Sequence, residues 1–372
     1  MAELTNPPTA TDGGPAGARS KARTRKDGAA IPLDAVDRRL INVMQSQFPL
    51  VPEPYALVAE LAGITLDDAM ARAQRLLDGR IIREITPIFD TRALGYSSML
   101  VAAKVDAEFP HRPAEIINSH PGVSHNYLRT HEFNLWFTIA TPPDSELGLQ
   151  GTLDALQELT GAESIRQLPT LTMFKINMNL EMEGGTEALA AKIEAVPPRE
   201  LEPRPYDDGD VALIRATQGP MAVVDRPWDG AAEALGITTP ELLDRLEGLI
   251  DRKILRRVAA ILFHRRAGFS ANGMGVWRVP PERVADVGGR MAAVRGISHC
   301  YERPTYEDWP YSVFTMAHGR SKKECDAILD SIAEECGMGP EDRATLYSST
   351  EYKKIRLHYF TDEYAAWEAE HS

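Results

Sequence analysis

The sequence predicts an α+β protein built by tandem duplication, each half a winged helix-turn-helix followed by a ferredoxin-like βαββαβ unit. Three observations predict it. Helical periodicity gives way to β periodicity twice along the 372 residues. A long segment starting at Leu76, LLDGRIIREITPIFDTRALGYSS, returns 173 residues later at Leu249 as LIDRKILRRVAAILFHRRAGFSA. SHNYLR at Ser124 returns as SHCYER at Ser298, a shift of 174, and WFT at Trp136 as VFT at Val313, a shift of 177. A repeat of this length is a duplicated pair of domains rather than a solenoid. Two such halves can pack as an intramolecular pseudo-dimer in place of a two-fold homodimer.

Residues 1–30 are rich in Ala, Gly, Pro and Thr without apolar period and are expected to be a disordered tail. The first winged helix is expected over 31–95. Leu33, Val36, Leu40, Val43 and Met44 form a helical stripe that Pro49, Pro52 and Pro54 end. A short helix through Leu57 and Leu61 stops at Gly63. Thr65 caps a third helix, with Asp68 in the capping-box position, and Ile81–Phe89 is extended. The first ferredoxin-like unit is expected over 96–186, with strands at Ser97–Val105, Gly122–Arg129, Asn134–Thr141 and Ile165–Ile176, and helices at Pro113–Ser119 and Ser145–Leu159. A proline-rich charged stretch, 187–208, reads as a linker. The plan then repeats, with winged helix 209–268 and ferredoxin-like unit 269–372.

The totals narrow the function. Hydrophobic residues are 43% and charged residues 26%, an ordinary globular composition. No run approaches the roughly 20 apolar residues of a membrane span, and there is no signal-peptide core, so the expected compartment is the cytoplasm. Cys300, Cys325 and Cys336 form no CxxC pair, so no metal site is expected. The net charge of −13 weighs against a general nucleic-acid binder. The third helix of each winged domain sharpens that. Asp67, Asp68 and Asp78 outnumber Arg72 and Arg75 in the first, and Glu241, Asp244, Glu247 and Asp251 face Arg245 alone in the second. A helix entering the major groove brings Arg, Lys, Asn or Gln to base edges. No specific DNA binding is expected. The sequence has no GxxxxGK[ST], GxSxG or HExxH, and its glycines make no phosphate loop.

HNYLRTHEFNLWFT (from His125), FDTRALGYSS (from Phe89), HRRAGFSANGM (from His264) and SHCYERPTYEDWPYSVFTMAHG (from Ser298) resemble the signatures of the siroheme decarboxylases. So do TMFKIN from Thr172 and YKKIRLHYF from Tyr352. The resemblance covers about residues 33–362, and the combination is specific where each short motif alone is not. That family is similar in fold to Lrp/AsnC regulators and occurs as separate or fused halves. This chain resembles the fused form, a D-type half before an L-type half. The resemblance implies removal of carbon dioxide from two acetate side chains of siroheme, leaving methyl groups, in haem d1 or alternative haem synthesis. It implies no organic cofactor, the iron arriving with the substrate. It leaves open further self-association or partner decarboxylase subunits. The competing reading is an Lrp/AsnC-type ligand-responsive transcriptional regulator.

The residue types suit that chemistry. Loss of carbon dioxide needs a proton donor to complete the methyl group, a task for histidine. The remaining carboxylates need cationic clamps, for which arginine is best shaped. A flat macrocycle needs aromatic walls. His131 and His264 break the repeat, Thr91 standing where His264 has its mate, and are the candidate catalytic residues. The candidate substrate-binding residues are His125, Tyr127 and Arg129, which alternate along one strand face, with Arg265, Arg266, His299, Tyr301, Arg303, Trp136 and Tyr311. Each histidine taken alone also fits a hydrogen-bonded structural role, and each arginine a salt bridge. At least one of Trp136 and Phe137 is expected in the core. Tyr96 and Phe269 are expected to be packing residues, and His111, His120, His318, His358 and His371 to be incidental.

Overall fold

The structure, a computed structural model, describes residues 31–46, 48–176, 205–263, 271–294 and 296–371. The expected tail and most of the 187–208 stretch lie outside these residues.

The first winged helix consists of α1 (Ala35–Ser46), α2 (Pro54–Ala62), α3 (Leu66–Asp78) and the wing strand β1 (Ile82–Phe89). Leu40, Ile41, Met44, Val58, Ala69 and Leu76 close its core. Gly63 ends α2 at φ 70°, where a side chain would be strained. Thr65 caps α3 by accepting from the Asp68 amide. Asp37 is 1% exposed, and its carboxylate is held by Arg72 at 2.8 Å and Arg75 at 2.5 Å. Both arginines of the third helix are thus bonded to the domain's own acids.

The first α+β unit runs β2 (Ser97–Lys104), α4 (His111–Ser119), β3 (Val123–Arg129), β4 (Leu135–Thr141), α5 (Gly148–Thr160), β5 (Ser164–Leu168) and β6 (Thr172–Ile176). The second winged helix has α6 (Asp208–Thr217), α7 (Asp229–Leu235), α8 (Thr239–Asp251) and β7 (Leu255–Leu262). Asp207 caps α6 in a reciprocal capping box with Asp210, so helix begins within the stretch read as linker. The second α+β unit runs β8 (Ala271–Trp277), α9 (Val284–Ala293), β9 (Ile297–Glu302), β10 (Val313–Gly319), α10 (Lys322–Cys336) and β11 (Arg343–Lys354), followed by α11 (Glu363–His371).

The halves are woven together through their strands. The wings β1 and β7 pair antiparallel with each other, Ile82 opposite Leu262 and Phe89 opposite Leu255. The remaining nine strands form one sheet, β5-β2-β4-β3-β11-β8-β10-β9-β6. Strand β11 pairs with β8 through Arg343–Tyr347 and then with β3 of the other half through Ser348–Lys354. In exchange, β6 leaves its own half and pairs with β9. The single strand expected over Ile165–Ile176 is therefore two. Pro169, which has no amide to donate, interrupts it where the chain crosses.

Each half keeps a helix-covered core. The faces turned away from the helices share a third core, in which Ala102, Phe133 and Trp136 of the first half meet Met274, Val276, Trp309 and Phe314 of the second. The final helix α11 does not cover the unit it follows. Trp367 joins the first half's core and donates to Ser119 Oγ at 3.1 Å, while Glu368 accepts from the Glu146 amide. The three cysteines are buried and free, as expected of structural thiols. Among the described residues no helix is long and apolar enough to cross a membrane, and no cluster of metal-ligating side chains occurs.

Candidate functional site

The repeated His-x-Tyr-x-Arg motif occupies equivalent places in the two halves. On β3, Asn126 points to the helices, its amide donating to Ala114 O and Asn118. His125, Tyr127 and Arg129 therefore take the opposite face. On β9, Cys300 turns to Gly288 O of α9, leaving His299, Tyr301 and Arg303 on the other face. Each station adjoins a crossing strand. Lys354 and Glu351 of β11 lie opposite His125 and Tyr127, and Ile176 and Met173 of β6 lie opposite His299 and Tyr301.

The arginines define the stations. Arg129 lies over the rings of Tyr127 and Trp136, 5.8 Å from each centroid, and donates to Leu346 O at 3.1 Å. Arg303 lies over Tyr301 and Phe314, at 5.1 and 5.4 Å, and donates to Leu168 O. Each accepting carbonyl lies where a final strand crosses. In both arginines Nε is sealed from solvent without a partner among the described residues. Burial pulls both guanidinium pKa values down to about 10, and only a neighbouring tyrosine opposes it; no carboxylate contributes. Buried cations are ordinarily paired. Among the described residues these two are held by ring faces and carbonyls alone, an arrangement suited to an incoming anion. Beside Arg303 a cleft of about 720 Å³ opens, lined also by Arg278, Arg283 and Tyr306.

Burial favours the neutral imidazole at His125 and at His131. His125 accepts or donates at Ser124 Oγ, 3.0 Å away. Burial, with Lys354 and Arg83 nearby, brings its pKa down to about 4. His299 contacts Ser298 Oγ at 2.6 Å. His131 lies in the turn after β3, where its Nδ1 accepts from the Phe133 amide at 3.1 Å. An accepting Nδ1 leaves the neutral ring's proton on Nε2. Burial lowers the His131 pKa, with Glu132 opposing.

The second half completes the surroundings of His131. Its β9–β10 connection runs from Arg303 to Ser312, against Thr130 to Asn134 in the first half. The longer loop reaches across the molecule. Asp308 binds Arg166, and Tyr306 donates to Gln167 O. Trp309, 0% exposed, sets its ring 5.2 Å from His131, and Tyr311 lies 6.2 Å from the same imidazole. The sequence reading missed Trp309. Its signals were its place within SHCYERPTYEDWPYSVFTMAHG and within an insertion that departs from the repeat.

Two expectations need correction. Trp136, proposed as a ligand wall, is 1% exposed and bonded to Phe133 O at 2.7 Å, so it backs Arg129 from within the core the two halves share. The alignment of WFT with VFT is one residue out. Trp136 lies opposite Tyr127 and Phe314 opposite Tyr301, so Trp136 corresponds to Phe314. The first half's Tyr96 packs as expected, against Tyr359, Phe360 and Tyr364. His264, Arg265, Arg266 and Phe269 lie outside the described residues. The chain leading to them is placed: Phe263 donates to Ile81 O, two residues from Arg83, whose charge acts on His125.

Comparison with known proteins agrees with this architecture. A profile for the AsnC-like ligand binding domain matches residues 93–175 and 266–353, and one for the siroheme decarboxylase NirDL-like HTH domain matches 37–83 and 210–256. The siroheme decarboxylase of Hydrogenobacter thermophilus is 37% identical over 330 residues, covering 88% of this chain and 96% of that protein. The siroheme decarboxylase beta subunit of Methanosarcina barkeri is 40% identical over 153 residues, 41% of this chain and 99% of its own. The crystal structure of the siroheme decarboxylase NirDL superposes with a TM-score of 0.71 at 32% identity, covering 90% of this chain and 97% of that one. A second crystal structure holds the same enzyme with an iron-uroporphyrin III analogue.

Proposed function

We infer the chemistry of this chain from one premise: it belongs to the siroheme decarboxylase family. It is a carboxy-lyase that converts the two acetate side chains of siroheme to methyl groups. The observation that carries the residue assignment is the pair of half-buried arginines, Arg129 and Arg303, whose Nε atoms are sealed from solvent and which have no carboxylate partner among the described residues. Siroheme is a polycarboxylate, and its carboxylates supply the missing counter-charges through charge-assisted hydrogen bonds. Arg265 and Arg266, outside the described residues, are further candidate clamps for the carboxylates by residue type alone. Tyr127, Tyr301 and Tyr311 give the flat, largely apolar macrocycle its walls.

As the carbon–carbon bond of an acetate breaks, carbon dioxide departs and the electron pair spreads into the macrocycle. A proton then completes the methyl group. His131 presents Nε2–H for that step, and His264, His125 and His299 are the further donors the motif provides. The macrocycle itself is the electron sink, so the reaction draws on no organic cofactor, and the iron is part of the substrate. The two fused halves take the place of separate subunits.

The wings and third helices support an enzyme over a regulator. Each wing is occupied by the other, and Arg72, Arg75 and Arg245 are engaged with acids of the protein. Each must give up an ion pair within the protein to meet a phosphate. Anaerobic incubation with siroheme followed by product mass tests the reading, since each turnover step removes one carbon dioxide.

A further inference from the structure

The two His-x-Tyr-x-Arg stations differ in what stands behind the histidine. In the second half, Ser298 Oγ lies 2.6 Å from His299 Nδ1 and 2.6 Å from His318 Nε2. His318 is half-buried on the neighbouring strand β10. In the first half Ser124 reaches His125 at 3.0 Å, but Ala140 occupies the place of His318. The equivalence is fixed by the backbone: Ala140 N donates to Gly122 O as His318 N donates to Gly296 O. The first half therefore has a Ser–His pair, and the second a His–Ser–His chain.

We propose that His318 and Ser298 form a proton relay acting through His299, supplying the proton that turns one of the two acetates into a methyl group. This rests on the reading that His299 meets the substrate. A serine hydroxyl has one proton. Its third contact, to Met316 O, is long at 3.5 Å against 2.6 Å to each imidazole, so it donates to one imidazole and accepts from the other. When His318 Nε2–H donates to Ser298 and Ser298 donates to His299 Nδ1, His299 carries its proton on Nε2. A neutral imidazole is a far weaker acid than an imidazolium. The relay removes that handicap. With His318 entering as the imidazolium, protonated on Nδ1 as well as Nε2, the Nε2–H of His299 passes to the carbon left by carbon dioxide, Nδ1 takes the serine proton, Ser298 takes the Nε2 proton of His318, and His318 is left as a neutral imidazole. His318 recovers its proton from solvent. One proton is consumed per carbon dioxide released, and no oxidant or reductant enters. His125 has no such supply, so the two halves deliver protons by unequal routes.

The test is single-turnover decarboxylation of siroheme under anaerobic conditions, resolving the first and second loss of carbon dioxide. Ser298→Ala and His318→Asn are each expected to slow one of the two losses by ~10- to 100-fold, with siroheme affinity unchanged by titration. The double variant should be no slower than either single, as members of one chain act together. Ser298→Thr, which keeps the hydroxyl, should restore the rate, and added imidazole should partly rescue His318→Asn. The solvent deuterium effect on that step should fall in Ser298→Ala. Multiplicative losses, equal slowing of both steps, or weakened binding with unchanged turnover would overturn the relay. His299→Ala is run in parallel. Wild-type rates there would remove the underlying site reading, whereas a slow His299→Ala beside a fully active Ser298→Ala would remove the relay alone.

Discussion

Replacing Arg129 by methionine separates a ligand-binding cation from a structural one. In the unliganded protein a buried guanidinium without a carboxylate costs several kcal/mol of desolvation. Two ring contacts return about 0.5–2 kcal/mol. The hydrogen bond to Leu346 O, at 3.1 Å, returns about 1.5–3 kcal/mol. The opposing effects are close in size. Methionine keeps the length and packing of the side chain, so Arg129→Met should leave stability unchanged or raise it by ~1–2 kcal/mol. Arg252 is the contrast. It grips Asp210 with two bonds of 2.6 and 2.8 Å, and the Asp210 side chain is 11% exposed. Arg252→Met leaves that carboxylate with only the Asp207 amide and should cost ~1–3 kcal/mol, reduced from the fully buried figure because Arg252 itself is well exposed. With siroheme the order reverses. Arg129→Met loses a charge-assisted bond and should weaken binding ~10- to 100-fold, while Arg252→Met should bind normally. Thermal unfolding without ligand and absorbance titration with siroheme read the two effects. A large destabilisation by Arg129→Met with unchanged affinity would refute the assignment and make the arginine an internal brace.

Three further outcomes follow from the same reading. His131→Ala, and separately His264→Ala, should leave a folded protein that binds siroheme but loses carbon dioxide from at least one acetate ~100- to 10,000-fold more slowly; unaltered single-turnover rates for both acetates would remove that residue from catalysis. His120, 1% exposed under Trp367 and Tyr364, has its pKa lowered by burial to about 3. Its folded pKa lies below the unfolded value of about 6.5, so its contribution is complete above about 6.5 and falls with pH by ~1.4 kcal/mol per unit toward about 3. His120→Asn should therefore flatten the loss of stability between neutral pH and about pH 4.5, and a profile as steep as wild type would count against it. Fluorescence anisotropy with duplex DNA should show no specific, salt-sensitive binding; a tight signal that collapses as salt rises would restore the regulator reading.

Much of the fold was legible because the duplication is written in the residues. The Leu76 and Leu249 segments align over a helix, a turn and a wing, and local periodicity sufficed to place them. What stayed hidden depends on tertiary exchange. Nothing in Ile165–Ile176 except Pro169 signals that the chain changes partner there. Nothing near Trp367 signals that the last helix returns to the first half. Strand alternation correctly put His125, Tyr127 and Arg129 on one face, since period two is local. The same local view could not tell Trp136, sealed in the core the two halves share, from a ligand wall. It also took His318 as incidental, because its contact with Ser298 is made across strands 20 residues apart.

The central claim is that this chain decarboxylates siroheme at both acetates without an organic cofactor. The most direct measurement is mass analysis of the tetrapyrrole after anaerobic incubation of purified protein with siroheme alone. The account predicts a product lighter by two molecules of carbon dioxide, through an intermediate lighter by one. Siroheme recovered unchanged from a protein that binds it would contradict the account.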